Sequence, residues 1–252
     1  MAWRACALRH PTHIPYNIPN IMPAHYTENF ATDPGGWWGW ESNSAGPRAL
    51  EYTPGTITSR SPWWIDYNHA PPGAGYLHML FCTFTRGQLG EYYREVGGPH
   101  RLLDGRYPTN YTDARLTVRL KGELYARGAE PVLLIQACID ETTSAWVLTG
   151  QPLQITPDWS EQTIICTPDP AQWTPMGSRH DRQDCYGTLP LEQVLANVNV
   201  DIMLILFPLD IAPMGPLDGD PDILRPEKDY PVWRSRLPEG YITLDRIDID
   251  FP

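Results

Sequence analysis

Polar and apolar side chains alternate along several stretches of this chain with the period of two that a half-buried β-strand requires. Arg115, Thr117, Arg119 and Lys121 interleave with Leu116, Val118 and Leu120, which predicts one wet face and one dry face. Residues 76–84 show a second alternating run. Residues 132–139 are apolar on both faces except at Gln136, as in a central strand covered on both sides, where a Gln needs hydrogen-bonding partners. Residues 144–148, 153–156 and 162–167 read as shorter strands, and 200–207 as the most apolar one, broken only by Asp201. The last alternation runs through Ile242 and Leu244 and then through Ile247, Ile249 and Phe251. That one-residue change of phase predicts a β-bulge near Asp245 or Arg246. One short helical period stands out: Leu191, Val194, Leu195 and Val198 behind Pro190 predict a helix near 190–198.

Many short strands at this spacing predict an all-β chain, and its 252 residues suit one large sandwich. The 27 prolines and 20 glycines are spread along the chain as turn punctuation rather than gathered into a linker. Pro11, Pro15, Pro19 and Pro23 exclude a regular helix near the start, so residues 1–26 read as an extended arm and residues 27–252 as the sandwich domain. Residues 86–112 form an insertion, and residues 208–240, rich in Pro, Gly and Asp, form the longest irregular segment.

A net charge of −11 argues against nucleic acid as a partner, because phosphate binding needs a basic footprint. The first 21 residues carry charge and prolines where a signal peptide needs an unbroken apolar run, and no later run reaches membrane-spanning length. The expectation is a soluble, cytoplasmic protein. Five cysteines without CxxC spacing make neither a zinc motif nor a complete disulfide framework; Cys82, Cys138 and Cys166 fall in apolar strand patterns and read as buried thiols.

Two short segments place flat rings beside hydrogen-bonding groups: Trp37, Trp38 and Trp40, and then Trp63 through His69 with Trp64, Asp66 and Asn68. Carbohydrate recognition needs that combination, since the apolar face of a pyranose stacks on an indole while its hydroxyls need carboxylate, amide or imidazole partners. Core and turn anchoring is the competing reading of the same residues. Arg179, His180 and Asp181 form a second cluster, read either as a solvated charged turn or as a proton-transfer group beside a guanidinium clamp. His78 and His69 with Asp66 match no zinc spacing. Phosphate-binding Gly-rich loops and a GxSxG elbow are lacking.

Glu28-Asn29-Phe30 leading to Gly36-Trp37, together with Asp245 to Asp250 at the end, resembles the first and last strands of the galactose-binding-like jelly rolls, which include many carbohydrate-binding modules. The resemblance covers roughly residues 27–252 and implies a jelly-roll β-sandwich with a structural calcium held by Glu28 and Asp245. The resulting expectation is a groove lined by Trp37, Trp38, Trp40, Trp64, Asp66, Asn68, His69, Arg179 and His180 that binds an oligosaccharide. Two alternatives stay open. One is a glycoside hydrolase or lyase on the same fold, with His180 and Asp181, or Asp66 and His69, as acid and base; the other is a protein-interaction subunit.

Overall fold

The computed structural model describes residues 24–42, 46–66, 76–86, 95–177, 185–210 and 236–252. Its elements, in chain order, begin with β1 (His25–Glu28), β2 (Gly39–Ser42), β3 (Gly46–Arg48), β4 (Glu51–Thr53), β5 (Thr56–Arg60), β6 (Ile65–Asp66) and β7 (Leu77–Phe84). Then follow α1 (Arg101–Asp104), β8 (Arg115–Tyr125), β9 (Glu130–Ile139), β10 (Thr142–Leu148), β11 (Ser160–Ile165) and β12 (Thr174–Pro175). Helix α2 (Leu191–Leu195), β13 (Asp201–Phe207) and β14 (Glu239–Asp250) complete the order. Twelve of these strands form two six-stranded antiparallel sheets, and β2 and β3 pair as a separate two-stranded sheet. In the first, the order is β11-β8-β14-β5-β4, with β1 also on β14; in the second it is β12-β10-β9-β13-β7-β6. The protein is an all-β sandwich, as the alternation predicts.

The two sheets differ because their sequences do. Strand β8 buries Leu116, Val118 and Leu120 and leaves Thr117, Arg119 and Lys121 partly exposed, so the first sheet is amphipathic. Strand β13 is buried along its whole length, and β9 from Pro131 to Ala137, so the second sheet is covered on both faces. Helix α2 supplies part of that cover, packing on β9 and β10 with Leu191, Val194 and Leu195 buried. One hydrophobic core joins residues of both sheets, among them Val118, Leu244 and Ile247 of the first and Leu80, Ile135 and Leu204 of the second.

Strand β14 is the spine of the first sheet. It pairs with β8 along its length, while on its other edge β5 meets Tyr241–Leu244 and β1 meets Ile247–Asp250. The register with β8 shifts between Leu244 and Arg246, so Asp245 is the bulged residue, where the phase change in the sequence predicts it.

Several boundaries differ from the sequence expectation. Strand β1 begins at His25, so residues 25 and 26 belong to the sheet; the rest of the arm, residues 1–23, lies outside the described residues. Residues 153–156 are not a strand, although Leu153 is buried. The side-chain amide of Gln162 accepts from the Gln154 amide at 2.8 Å and donates to its carbonyl at 2.7 Å, taking the bonds a neighbouring strand would supply. A second short helix, α1, sits in the 86–112 insertion. Cys82 and Cys166 are buried free thiols, but Cys138 is disulfide-bonded. No helix among the described residues is long and apolar enough to cross a membrane.

Candidate functional site

The tryptophans that the sequence points to are packed inside. Trp37 and Trp38 are each 1% exposed, Trp40 3% and Trp64 5%. Trp37 donates its indole N–H to Tyr26 Oη at 3.2 Å. Trp38 lies 5.3 Å from Trp40 and 5.1 Å from Phe84 between ring centroids, and Trp40 lies 6.2 Å from Trp64, so these rings form an internal aromatic row. Sugar stacking needs an open ring face, and the expected groove on Trp37, Trp38, Trp40 and Trp64 is therefore replaced by core packing. Asp66 pairs with Leu77 in β6; its side chain, and Asn68, His69, Arg179, His180 and Asp181 altogether, lie outside the described residues.

Glu28 and Asp245 do not fit a shared calcium. The register sets Glu28 opposite Ile247 on the buried face of the first sheet, whereas Asp245 accepts from Arg119 on the opposite, wet face. Glu28 Oε1 accepts the backbone N–H groups of Asn29 at 3.1 Å and Phe30 at 3.0 Å, and Oε2 accepts Arg101 Nη1 at 2.7 Å. Arg101 also donates to Asp33 Oδ2 at 2.5 Å and Thr32 Oγ1 at 2.9 Å. Gly35, at φ +67°, makes the close approach possible: a Cβ there would stand 2.0 Å from Glu28 Oε2. The Arg101 guanidinium is thus the cation that this cradle already holds. Burial pushes the Asp245 carboxyl above its ordinary value against the opposing pull of Arg119 and Arg246.

A different site is built where the chain crosses between the sheets. After β5, residues 61–64 leave the first sheet and β6 joins the second beside β7. The crossing is pinned at both ends. Ser61 N–H donates to the Gly240 carbonyl at 3.0 Å, and Ser61 Oγ accepts the Gly240 N–H at 3.1 Å. Trp63 donates its indole N–H to the buried Ser59 Oγ at 2.9 Å, so its ring is held by the strand it has just left.

His78, facing Ile65 across the β6–β7 ladder, is fully buried, with its ring centroid 5.9 Å from that of Trp63. Its Nδ1 lies 3.0 Å from the Trp64 carbonyl oxygen. A carbonyl only accepts, so Nδ1 carries the proton and Nε2 presents its lone pair. Nε2 has no partner. Burial pushes the His78 pKa from 6.5 down to about 4, against the opposing effect of the Trp64 carbonyl, so the ring is neutral at physiological pH.

Trp63 and His78 line a cavity of about 480 Å³ with Pro62, Arg236, Leu237 and Glu239. A second cavity of about 230 Å³ shares Ser61 and Pro62 and is lined by Arg48, Glu51 and Arg60. Arg60 makes a two-pronged contact with Glu51, Nε to Oε1 at 3.0 Å and Nη2 to Oε2 at 3.3 Å, and lies over the Tyr241 ring at 4.9 Å. Arg48 reaches across to the Arg60 carbonyl at 3.2 Å. The two cavities adjoin at Ser61–Pro62, which lines both, and the pair is called the cleft; its lining offers an indole, a fixed imidazole acceptor and guanidiniums.

Sequence reading brought Trp63 and His78 into view only as members of other clusters, and it missed Arg48, Arg60, Arg236 and Glu239. The available signal was the Ser-Pro step that ends an alternating strand immediately before Trp63. Neither a protein-family model nor a curated protein matches this chain.

Proposed function

We propose that the protein recognises carbohydrate in the cleft around Ser61–Pro62. The observation that carries this reading is His78 Nε2, a buried lone pair of fixed direction with no partner among the described residues, on a ring that lines a cavity of about 480 Å³ together with the Trp63 indole. An unmet buried acceptor costs free energy, and a sugar hydroxyl is a donor that would satisfy it while the ring packs near Trp63. Nε2 is closed to bulk water, so a ligand that reaches it enters by a small movement of the cleft wall. Guanidiniums at the rim suit the remaining hydroxyl oxygens.

The test is native mass spectrometry with a diverse oligosaccharide panel, followed by titration of His78→Asn and His78→Gln. An Asn amide overlays Nδ1 and keeps the bond to the Trp64 carbonyl, whereas a Gln amide oxygen reaches the Nε2 position. His78→Asn should weaken binding about tenfold or more while the protein remains folded, and His78→Gln should retain more of it. Undiminished binding by His78→Asn removes this cleft from the function.

A second reading, a carbohydrate-active enzyme on the same sandwich, draws on the depressed His78 pKa, which leaves Nε2 unprotonated and able to act as a base at neutral pH. New product masses in the same incubation would support it, and intact complexes alone would count against it.

A further inference from the structure

We infer that the ligand of the Ser61–Pro62 cleft is anionic, an oligosaccharide bearing carboxylate or sulfate groups, held by Arg48 and Arg236. This rests on the carbohydrate reading of the same cleft and adds the charge class of its ligand. Five ionised side chains line the two cavities: Arg48, Glu51 and Arg60 on one side of Ser61–Pro62, and Arg236 and Glu239 on the other. Their pairing leaves a remainder of one sign. Glu51 is taken by Arg60 in the two-pronged contact, and Glu239 is paired with Arg127 at 3.7 Å, outside the cleft. Arg48 and Arg236 are then the cleft cations with no carboxylate partner among the described residues, and the only hydrogen bond Arg48 makes among them is to a neutral carbonyl.

In a chain of net charge −11, two uncompensated guanidiniums flanking one cleft are a local departure from the overall balance. A guanidinium presents a planar fork of N–H donors that matches a carboxylate or sulfate two bonds at a time, more strongly than it binds a neutral hydroxyl. Arg48 and Arg236 line different cavities that share Ser61 and Pro62, so a ligand held by both arginines has to reach across that pair. One sugar unit lies against Trp63 and His78, and acidic substituents reach the arginines.

The experiment is calorimetric titration of the whole protein with matched sets: uronate-bearing oligosaccharides, sulfated oligosaccharides, and their neutral counterparts of equal length. At least one acidic set should bind about tenfold more tightly than its neutral counterpart, and added salt should erode that advantage. The double variant Arg48→Gln, Arg236→Gln should lose the advantage, its affinity for the acidic set falling to that for the neutral set. Whether the uronate or the sulfated set responds distinguishes the two sources of the charge. If neutral sugars bind as tightly as acidic ones and the double variant changes neither, the charge assignment is wrong and the carbohydrate reading survives. If no set binds, or if binding is indifferent to His78→Asn, both are overturned.

Discussion

Gln136 and Asp201 show how one buried polar residue dictates another. The sequence places a lone Gln in an apolar strand, and its partner is Asp201 on the adjacent strand β13: with Nε2 turned toward it, the amide donates to Oδ1 at 3.2 Å and Oδ2 at 3.3 Å. Burial pushes the Asp201 pKa from 3.8 up to about 8. The folded state therefore keeps a proton that the unfolded chain has lost between those values, and this contribution to stability falls as pH rises from about 4 through about 8. Asp201→Asn should flatten that slope and be more stable than the wild type above pH 8, by roughly 1–3 kcal/mol, in urea unfolding followed across pH. A variant with an unchanged slope would show that Asp201 is ionised in the fold. His78 acts in the opposite sense. Its depressed pKa makes the folded state the poorer proton binder, so its contribution is full above pH 6.5 and is lost as pH falls toward about 4. Between pH 4 and 6.5 the two slopes oppose, and Asp201→Asn should therefore unmask a stability that rises with pH in that window.

Strand β14 gathers three partners because of a single extra residue. Its bulge at Asp245 lets one edge meet β5 and then β1 while the other stays on β8. The phase change of apolar positions predicts this directly, since each residue displaced along a strand moves the following side chains to the other face. The connection of β1 to α1 had no such signal. Arg101 and Glu28 are 73 residues apart and meet only because the insertion folds back across the end of the sheet, with Gly35 giving the carboxylate room. Arg101→Met should lower stability by about 1–3 kcal/mol, because it leaves a buried carboxylate oxygen without its donor, while the exposed side of the guanidinium limits the loss. Thermal unfolding of this variant beside Arg101→Lys separates lost charge from lost geometry: a lysine that restored full stability would show that the fork contact to Glu28 and Asp33 is unimportant. Residues 153–156 mark the limit of pattern reading. They read as a strand, yet the Gln162 amide takes both backbone groups of Gln154, and nothing in local sequence specifies that competitor.

The sandwich assembles one core from two sheets and places its cleft where a strand crosses between them, beside the paired backbone of Ser61 and Gly240. Glu28 and Asp245 do not share a calcium in this assembly, because they face opposite sides of the first sheet and each already holds an arginine. The unfolding midpoint should accordingly be the same in excess calcium and in chelator; a calcium-dependent rise of several degrees would show that a metal displaces one of those arginines. Alternation, turn residues and apolar content were enough to specify the all-β class, the seven longest strands and the bulge, because each is a local matter of which side chains face water along one strand. They could not place the rings. Trp38, Trp63 and Trp64 are all buried, and what each ring packs against depends on the sheet above it: the same Trp-Trp dipeptide supplies Trp64 to the internal row and Trp63 to the lining of a cavity. The cleft likewise draws on Arg48, His78 and Arg236, residues tens to hundreds of positions apart, and only the folding of one sheet over the other brings their charges and lone pairs to one place.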